Sequence, residues 1–362
     1  MHVRNWIEKV LWKDKSFLGP HGLGPFFYLF SCLFYFLASI RNLGYCLGVF
    51  ASTKAPLKVL SIGNLQIGGT GKTPFTIFLA EKLMLSGKKV AVLSRGYAYQ
   101  AEREKKPIAL SLGKGPRYPA LFAGDEPVMI AKRLPSVFSF VGKDRRMAAQ
   151  MAATNKCQIA LLDDAFQQRR LKKDLEIVLL DAKDPFANQH LLPRGPLREG
   201  PRALKRAHLV CLSGVTESRD YCQAKALISR YTEAPVIGLS LKVHGAFNAK
   251  NQKVDISKRS LSLVAAIARP ERFTLAVKDQ GADVLQEFFF PDHQNIHDEE
   301  ILEISMRARL AGADFLICSE KDWHRWETVP KTDLELLYLK ISSEIFEGKA
   351  VFDQCIKRFL LD

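Results

Sequence analysis

The chain lacks several signatures that would have settled its class at once. It has seven cysteines in 362 residues, and no two of them stand at CxxC spacing. An odd, scattered set fits reduced thiols better than a disulfide framework or a structural zinc site. Acidic residues are scarce: 38 Asp and Glu against 53 Lys and Arg, a formal charge of +15. Such an excess points to an anionic partner, whether nucleic acid, acidic lipid or a phosphorylated substrate. Zinc-finger spacing, RNP-like aromatics and basic coiled-coil regions are all missing, so no nucleic-acid partner is expected. No internal repeat or low-complexity tract occurs. A hydrophobic share of 47% with 25% charged residues is that of a globular protein, and the length suits two domains.

Charge is also absent from one stretch: Ser16 to Ile40 contains no Lys, Arg, Asp or Glu. Within it, Phe26 to Ile40 is apolar on every face, which in a soluble helix would need burial all round. As a helix those residues span only about 22 Å, short of the roughly 30 Å hydrocarbon core of a bilayer. Gly19, Pro20, Gly22, Gly24 and Pro25 argue against extending the helix backwards. The apolar core begins too late for a secretory signal, no A-x-A site follows, and Arg41 comes directly after. A membrane anchor is the expectation. Arg4, Lys9, Lys13 and Lys15 before it, and Arg41, Lys54 and Lys58 after it, suit an anionic membrane surface. Phe26, Phe27 and Phe30 are expected to help reach acyl chains.

A β-rich run, Lys58–Ile62, then leads into a glycine-rich loop. Glycines let consecutive backbone N–H groups turn onto phosphates, Lys72 can reach the β- and γ-oxygens, and Thr73 can ligate Mg²⁺. The candidate nucleotide contacts are Gln66, Ile67, Gly68, Gly69, Thr70, Gly71, Lys72 and Thr73, with a helix expected over 73–85. The strict GxxxxGK[ST] pattern wants glycine where this chain has Gln66, so the loop is a variant. Gln158–Leu162 ends in Asp163 and Asp164, placed as a strand-end carboxylate beside such a loop would be to contact Mg²⁺. No NKxD guanine-reading motif is present, which tilts the nucleotide toward ATP.

Further β-like runs recur from Lys89 to Ile341 with helical stretches between them. That alternation implies an α/β fold, P-loop NTPase-like, with a mostly parallel sheet and helices on both faces. A polar stretch over 242–258 is the softest joint. The expected division is an anchor over 1–55, a P-loop core over 56–242 and a smaller second α/β lobe over 243–362.

Read in order, the motifs SIGNLQIGGTGKTP (61–74), SRGY (94–97), GDEP (124–127), LLDDAFQ (161–167), LPRGPLRE (192–199), PDH (291–293) and SEKD (319–322) form a set. With the anchor, the chain resembles the tetraacyldisaccharide 4′-kinases, which phosphorylate the 4′-hydroxyl of a membrane-embedded acylated glucosamine disaccharide at the expense of ATP. The resemblance implies ATP and Mg²⁺ as cofactors, an acylated disaccharide lipid as acceptor, no obligate protein partner, and residence on the cytoplasmic face of a Gram-negative-type inner membrane. It implies Asp125 as the base taking the hydroxyl proton, His293 as its tuning partner, Lys72 at the phosphates, and Thr73, Asp163, Asp164 and Glu199 on the metal side. Arg198 falls near the phosphates, and Arg95 and Arg194 are candidate substrate contacts. His293 and His297 lack the glutamate of HExxH, so no zinc site is expected.

The chain departs from the family at Ala165 and Gln168, where members have Gly and His, at Arg194 in place of Ala, and over Ala265–Pro270 in place of AGIGNP. Ala165 matters only if that position needs a positive φ. The alternatives from other classes are a membrane-tethered P-loop ATPase driving a protein partner and a silent homologue that binds nucleotide without catalysis.

Overall fold

The structure, a computed structural model, describes residues 24–97 and 99–361. The basic residues expected before the anchor lie outside that range. The elements in chain order are α1 (Gly24–Cys46), β1 (Lys58–Asn64), α2 (Lys72–Leu85), β2 (Val90–Ser94), α3 (Gln100–Arg103), β3 (Ile108–Leu112), α4 (Ala120–Ala123), α5 (Asp125–Arg133), β4 (Phe138–Val141) and α6 (Arg145–Thr154). Then come β5 (Ile159–Leu162), β6 (Leu175–Asp181), β7 (Leu209–Ser213), α7 (Ser218–Ile228), β8 (Val236–Phe247), β9 (Lys253–Val254), β10 (Ser260–Ala265) and α8 (Pro270–Lys278). The last are β11 (Asp283–Phe289), α9 (Asp298–Leu310), β12 (Phe315–Ser319), α10 (Glu320–Arg325), β13 (Leu336–Glu347) and α11 (Lys349–Leu361). The chain packs as two compact units. Of the described residues, one takes 24–72, 149–240 and 344–361, and the other 73–97, 99–148 and 241–343.

The first unit is built on a parallel sheet. β1 lies between β5 and β6, β6 pairs β7, and β7 pairs β8, all parallel. Residues 59–64 of β1 are buried without alternation, as expected of a strand covered on both faces. Its core runs from Leu65 and Phe166 through Val178, Leu180, Val210 and Leu212 to Tyr221 and Ile228.

The second unit carries β10 between β11 and β12, with β13 beyond β12, all parallel. It also holds β2 parallel to β4. β3 is absent from the sequence expectation and pairs β4 antiparallel. Its sequence IALSL is short and ends exposed, so its pattern is weak. β9 was likewise unforeseen; it is two residues long and pairs β8 antiparallel.

The helix is longer than the apolar run, Phe26–Ile40, that announced it. α1 has 23 residues and is about 34 Å long, enough to cross the roughly 30 Å core. Pro25 stands in its first turn, where its missing N–H costs nothing, and the helix continues past Arg41 and Asn42. Only 6% of its most apolar window is buried; Phe26, Leu29, Phe36 and Leu37 are all more than half exposed.

The end of β1 is approached unusually closely by the chain after β5. A Cβ on Gly63 would lie 2.5 Å from Phe166 Cβ and 2.6 Å from its backbone nitrogen. Ala165 N–H donates to Ile62 O (3.0 Å) and Gln167 Nε2 to Asn64 O (2.9 Å), holding the turn there. Gly63→Ala is therefore expected to destabilise the fold by about 1–3 kcal/mol through overpacking. Gly200→Ala, where nothing lies within 4 Å, is the control. Urea unfolding of the two variants makes the comparison, with only the first expected to lower the midpoint.

Candidate phosphate-binding and acid–base sites

In the first unit the loop after β1 turns through Gly68 (φ 120°) and Gly71 (φ 77°), conformations glycine adopts without a Cβ penalty. The buried amide of Asn64 donates to Thr70 Oγ1 (3.1 Å). Gln66 occupies the position where the strict motif has glycine. Its buried side chain donates to Pro185 O (2.8 Å) and Asp184 O (3.1 Å), so its amide serves to fasten the loop to the segment after β6.

The loop is fastened a second time by the LPRGPLRE segment. Ile67 N–H donates to Pro196 O (2.8 Å) and Arg198 N–H to Leu65 O (2.7 Å), with Gln66 bridged to Leu197. Two sequence-distant motifs are thereby set side by side by backbone bonds. Their side chains converge on Asp164. Arg198 Nη1 donates to both its oxygens (2.9 and 3.1 Å), and Lys72 Nζ lies 3.6 Å from Oδ1. Asp163 and Glu199 are buried. Glu199 Oε2 stands 2.8 Å from Arg206 Nη2 and accepts from Asn42 Nδ2 (3.2 Å), whereas its Oε1 is buried without a hydrogen-bond partner among the described residues.

The strained residue of this turn is Asp164, with φ 49°. Asp and Asn tolerate the left-handed region better than most residues. Ala165 is not in that region, which explains why alanine is accepted there. Gln168 accepts the Arg170 N–H. None of residues 265–270 has positive φ either.

The second unit gathers another cluster. Asp125 opens α5 behind Gly124 (φ 105°), and its side chain is 1% exposed. Oδ2 accepts from Arg325 Nη2 (2.7 Å) and faces His293 Nδ1 (3.1 Å), and Tyr99 is a further hydrogen-bonding neighbour of the carboxylate. His293 Nε2 faces the Lys321 ammonium at 3.4 Å, which suits the tautomer with its proton on Nδ1, donated to Asp125. Lys321 in turn donates to Asp292 (2.8 Å). Arg325 is held on its far side by Asp322 Oδ1 (3.0 Å) and the carbonyl of Gln294. Asp322 itself accepts from Ala266 N–H (3.0 Å) and Ser319 Oγ.

Burial alone would push the Asp125 carboxyl up. The His293 hydrogen bond and the Arg325 charge outweigh it and hold the group well below the usual carboxylate range. The Tyr99 phenol is pushed far up by its own burial and then by the neighbouring Asp125 charge. Asp322 is raised by burial.

The contact between Asp125 and His293 is the one the family resemblance implied. Arg325, Asp322, Lys321 and Tyr99 were not assigned roles there. SEKD was part of the motif set, but the arginine three residues beyond it had no signal of its own. Arg95 is brought to Glu102 (2.6 Å) and lies over the Tyr97 ring. Arg194 stacks over Tyr28 of α1 (5.0 Å) and its backbone N–H donates to Ser31 Oγ (3.1 Å).

A glycine-rich cradle with a lysine and strand-end carboxylates, together with a buried carboxylate held ionised beside a histidine, defines a P-loop phosphotransferase. Residues 23–360 match the family model described as tetraacyldisaccharide-1-P 4′-kinase, LpxK. Curated tetraacyldisaccharide 4′-kinases are similar over nearly the whole chain. That of Anaeromyxobacter dehalogenans strain 2CP-C is 34% identical over 97% of this chain and 94% of its own length. That of Anaeromyxobacter sp. strain Fw109-5 is 36% identical over 95% and 93%, and that of Syntrophus aciditrophicus 32% over the full length of both. Among solved structures, LpxK from Aquifex aeolicus in complex with ATP matches with a TM-score of 0.73 at 27% identity, over 93% of this chain and 98% of that one. The chain belongs to the tetraacyldisaccharide 4′-kinase family. The α/β fold and the resemblance read from its motifs are both borne out.

After the His293 hydrogen bond, the Arg325 charge is what holds the Asp125 carboxyl low. Removing the cation withdraws stabilisation from the carboxylate, so the Asp125 pKa rises. An opposite charge at this range is worth about 1–3 pH units. In Arg325→Gln the carboxyl is expected to titrate well above its wild-type range, and in Arg325→Lys much less so. Carboxyl NMR titration, with Asp125→Asn to assign the signal, checks this.

Proposed function

We propose that the chain transfers the γ-phosphate of ATP to the 4′-hydroxyl of a tetraacyl glucosamine disaccharide 1-phosphate, a late step in lipid A biosynthesis. Family membership over residues 23–360 supports the reaction. The observation that carries the residue assignment is the burial of the Asp125 carboxylate with His293 and Arg325 both on Oδ2.

Asp125 accepts the hydroxyl proton. A carboxylate this acidic is a weak base toward a resting alcohol. In a loose phosphoryl-transfer transition state the hydroxyl becomes acidic only as the new bond forms, and alignment counts for more than basicity. His293 and Arg325 hold the carboxylate in place. In the first unit the backbone of Gly68–Gly71 cradles the phosphates, and Lys72 and Arg198 neutralise their charge. Thr73, Asp163, Asp164 and Glu199 are assigned to Mg²⁺. The fit rests on Glu199 Oε1, a buried carboxylate oxygen with nothing bound to it. Among the described residues no three His, Cys, Asp or Glu side chains converge as a preformed metal cage. Mg²⁺ suits such a site because it keeps phosphate and water ligands. When bound it supplies charge neutralisation at the phosphates.

The exposed face of α1 enters the bilayer, with its length and lack of burial in support. The protein works on the cytoplasmic face of the inner membrane, where ATP is available. Arg194 meets an anionic group of the lipid or its neighbours, and Arg95 stands as a further substrate contact. The rival reading of a protein-directed ATPase has no comparable support.

With labelled Mg·ATP and the lipid acceptor, purified wild type is expected to yield 4′-phosphorylated lipid. Asp125→Asn is expected to lose about 10²–10⁴-fold in rate and Lys72→Ala about 10²–10³-fold. Intact ATP binding with no lipid product from wild type would overturn the acceptor assignment. Replacing Phe26, Phe27 and Phe30 by serine is expected to raise KM for the lipid and leave KM for ATP unchanged; the opposite pattern would refute a lipid-facing role for α1.

A further inference from the structure

α1 is apolar on most of its surface, yet one narrow line of it is polar and in contact with protein. Tyr28, Ser31, Asn42 and Tyr45 recur at spacings that keep them on one side of a helix. Ser31 Oγ donates to Leu191 O (2.8 Å) and accepts from Arg194 N–H (3.1 Å). Arg169 donates to Asn42 O (3.0 Å) and lies over the Tyr45 ring. Asn42 Nδ2 donates to Glu199 Oε2 (3.2 Å). An amide on an otherwise apolar helix is costly unless its hydrogen bonds are made, and here one of them goes to a carboxylate of the phosphate-binding unit.

Glu199 has two claimants for its charge. Arg206 presents Nη2 at 2.8 Å from Oε2, and its Nε is buried with no partner. A guanidinium in that state would take both carboxylate oxygens in a two-pronged pair if the carboxylate turned toward it. The Asn42 bond engages Oε2 from α1, so that Oε1 stays open. We propose that Asn42 is a positioning residue for Glu199: it keeps Oε1 away from Arg206 and available to a divalent cation, and so ties the seating of the membrane helix to the metal side of the phosphate site. This rests on the assignment of Glu199 to Mg²⁺ made above.

The test uses the full-length, detergent-solubilised protein, with Mn²⁺ as the probe, titrated by EPR in the presence of a non-hydrolysable ATP analogue. Loss of an outer-shell partner typically costs 10–100-fold in metal affinity. Asn42→Leu, which fits the apolar helix, is expected to weaken Mn²⁺ at least 10-fold. Ser31→Ala, which loosens the same helix without touching Glu199, is expected to leave it unchanged. Equal weakening by both would reduce Asn42 to a helix-seating contact and overturn the proposal. Weakening by Glu199→Gln with none by Asn42→Leu would also overturn it while leaving the metal assignment standing. No weakening by Glu199→Gln would remove that assignment and the proposal together.

Discussion

The phosphate-binding unit depends on one strip of backbone pairing, between Leu65–Ile67 and Pro196–Arg198. Two main-chain hydrogen bonds of 2.7 and 2.8 Å lock a segment with few hydrogen-bonding alternatives to the loop that must hold phosphate. Everything specific to the site branches from that strip. Arg198 leaves it toward Asp164, Glu199 is buried beside it, and residues 190–194 continue from it to meet α1 through Tyr28 and Ser31. Gln66 belongs to the same device. Glycine at its position would give the loop freedom, whereas this chain uses a buried amide and two carbonyls to remove it.

The charges around that strip are arranged to be exchanged. Asp164 is a third exposed, and ion pairs at that exposure contribute little to stability, about 0–1 kcal/mol. Lys72 at 3.6 Å and the Arg198 fork are therefore kept ordered without being bound tightly. Either cation can be drawn to another anion at small cost in stability.

What the sequence disclosed divides along a physical line. Elements with a long, locally complete signal were legible: buried strands such as Val90–Ser94 and Ile159–Leu162, the helix after the glycine loop, and the uncharged stretch that became α1. The short motifs that bring Lys72 and Asp164 together were legible too, and the contact between Asp125 and His293 was expected only through family resemblance. The illegible part is what tertiary structure alone creates. β3 pairs antiparallel from five residues. Arg325 reaches Asp125 across 200 positions, and Asn42 reaches Glu199 across 157. A buried arginine or asparagine carries no periodic signature, because its position is justified by a partner elsewhere in the chain. The family departures show the converse. Ala165 looked as though it could disturb a tight turn, but the constrained φ falls on the residue before it.

Both carboxylates at the centre of the function follow one design. Asp125 and Glu199 are each buried, and each has one oxygen claimed from two sides, by Arg325 and His293 in one case and by Arg206 and Asn42 in the other. Glu199 leaves its second oxygen without a hydrogen-bond partner among the described residues. Burying a carboxylate is costly unless it is paired, and pairing both oxygens would leave nothing to react. Pairing only one resolves the conflict. The guanidinium offsets the cost of burying the group, and the second side chain fixes the rotation of the carboxylate. The same arrangement, one oxygen held by a guanidinium on one side and by a second polar side chain on the other, recurs at two buried carboxylates that lie far apart in the sequence.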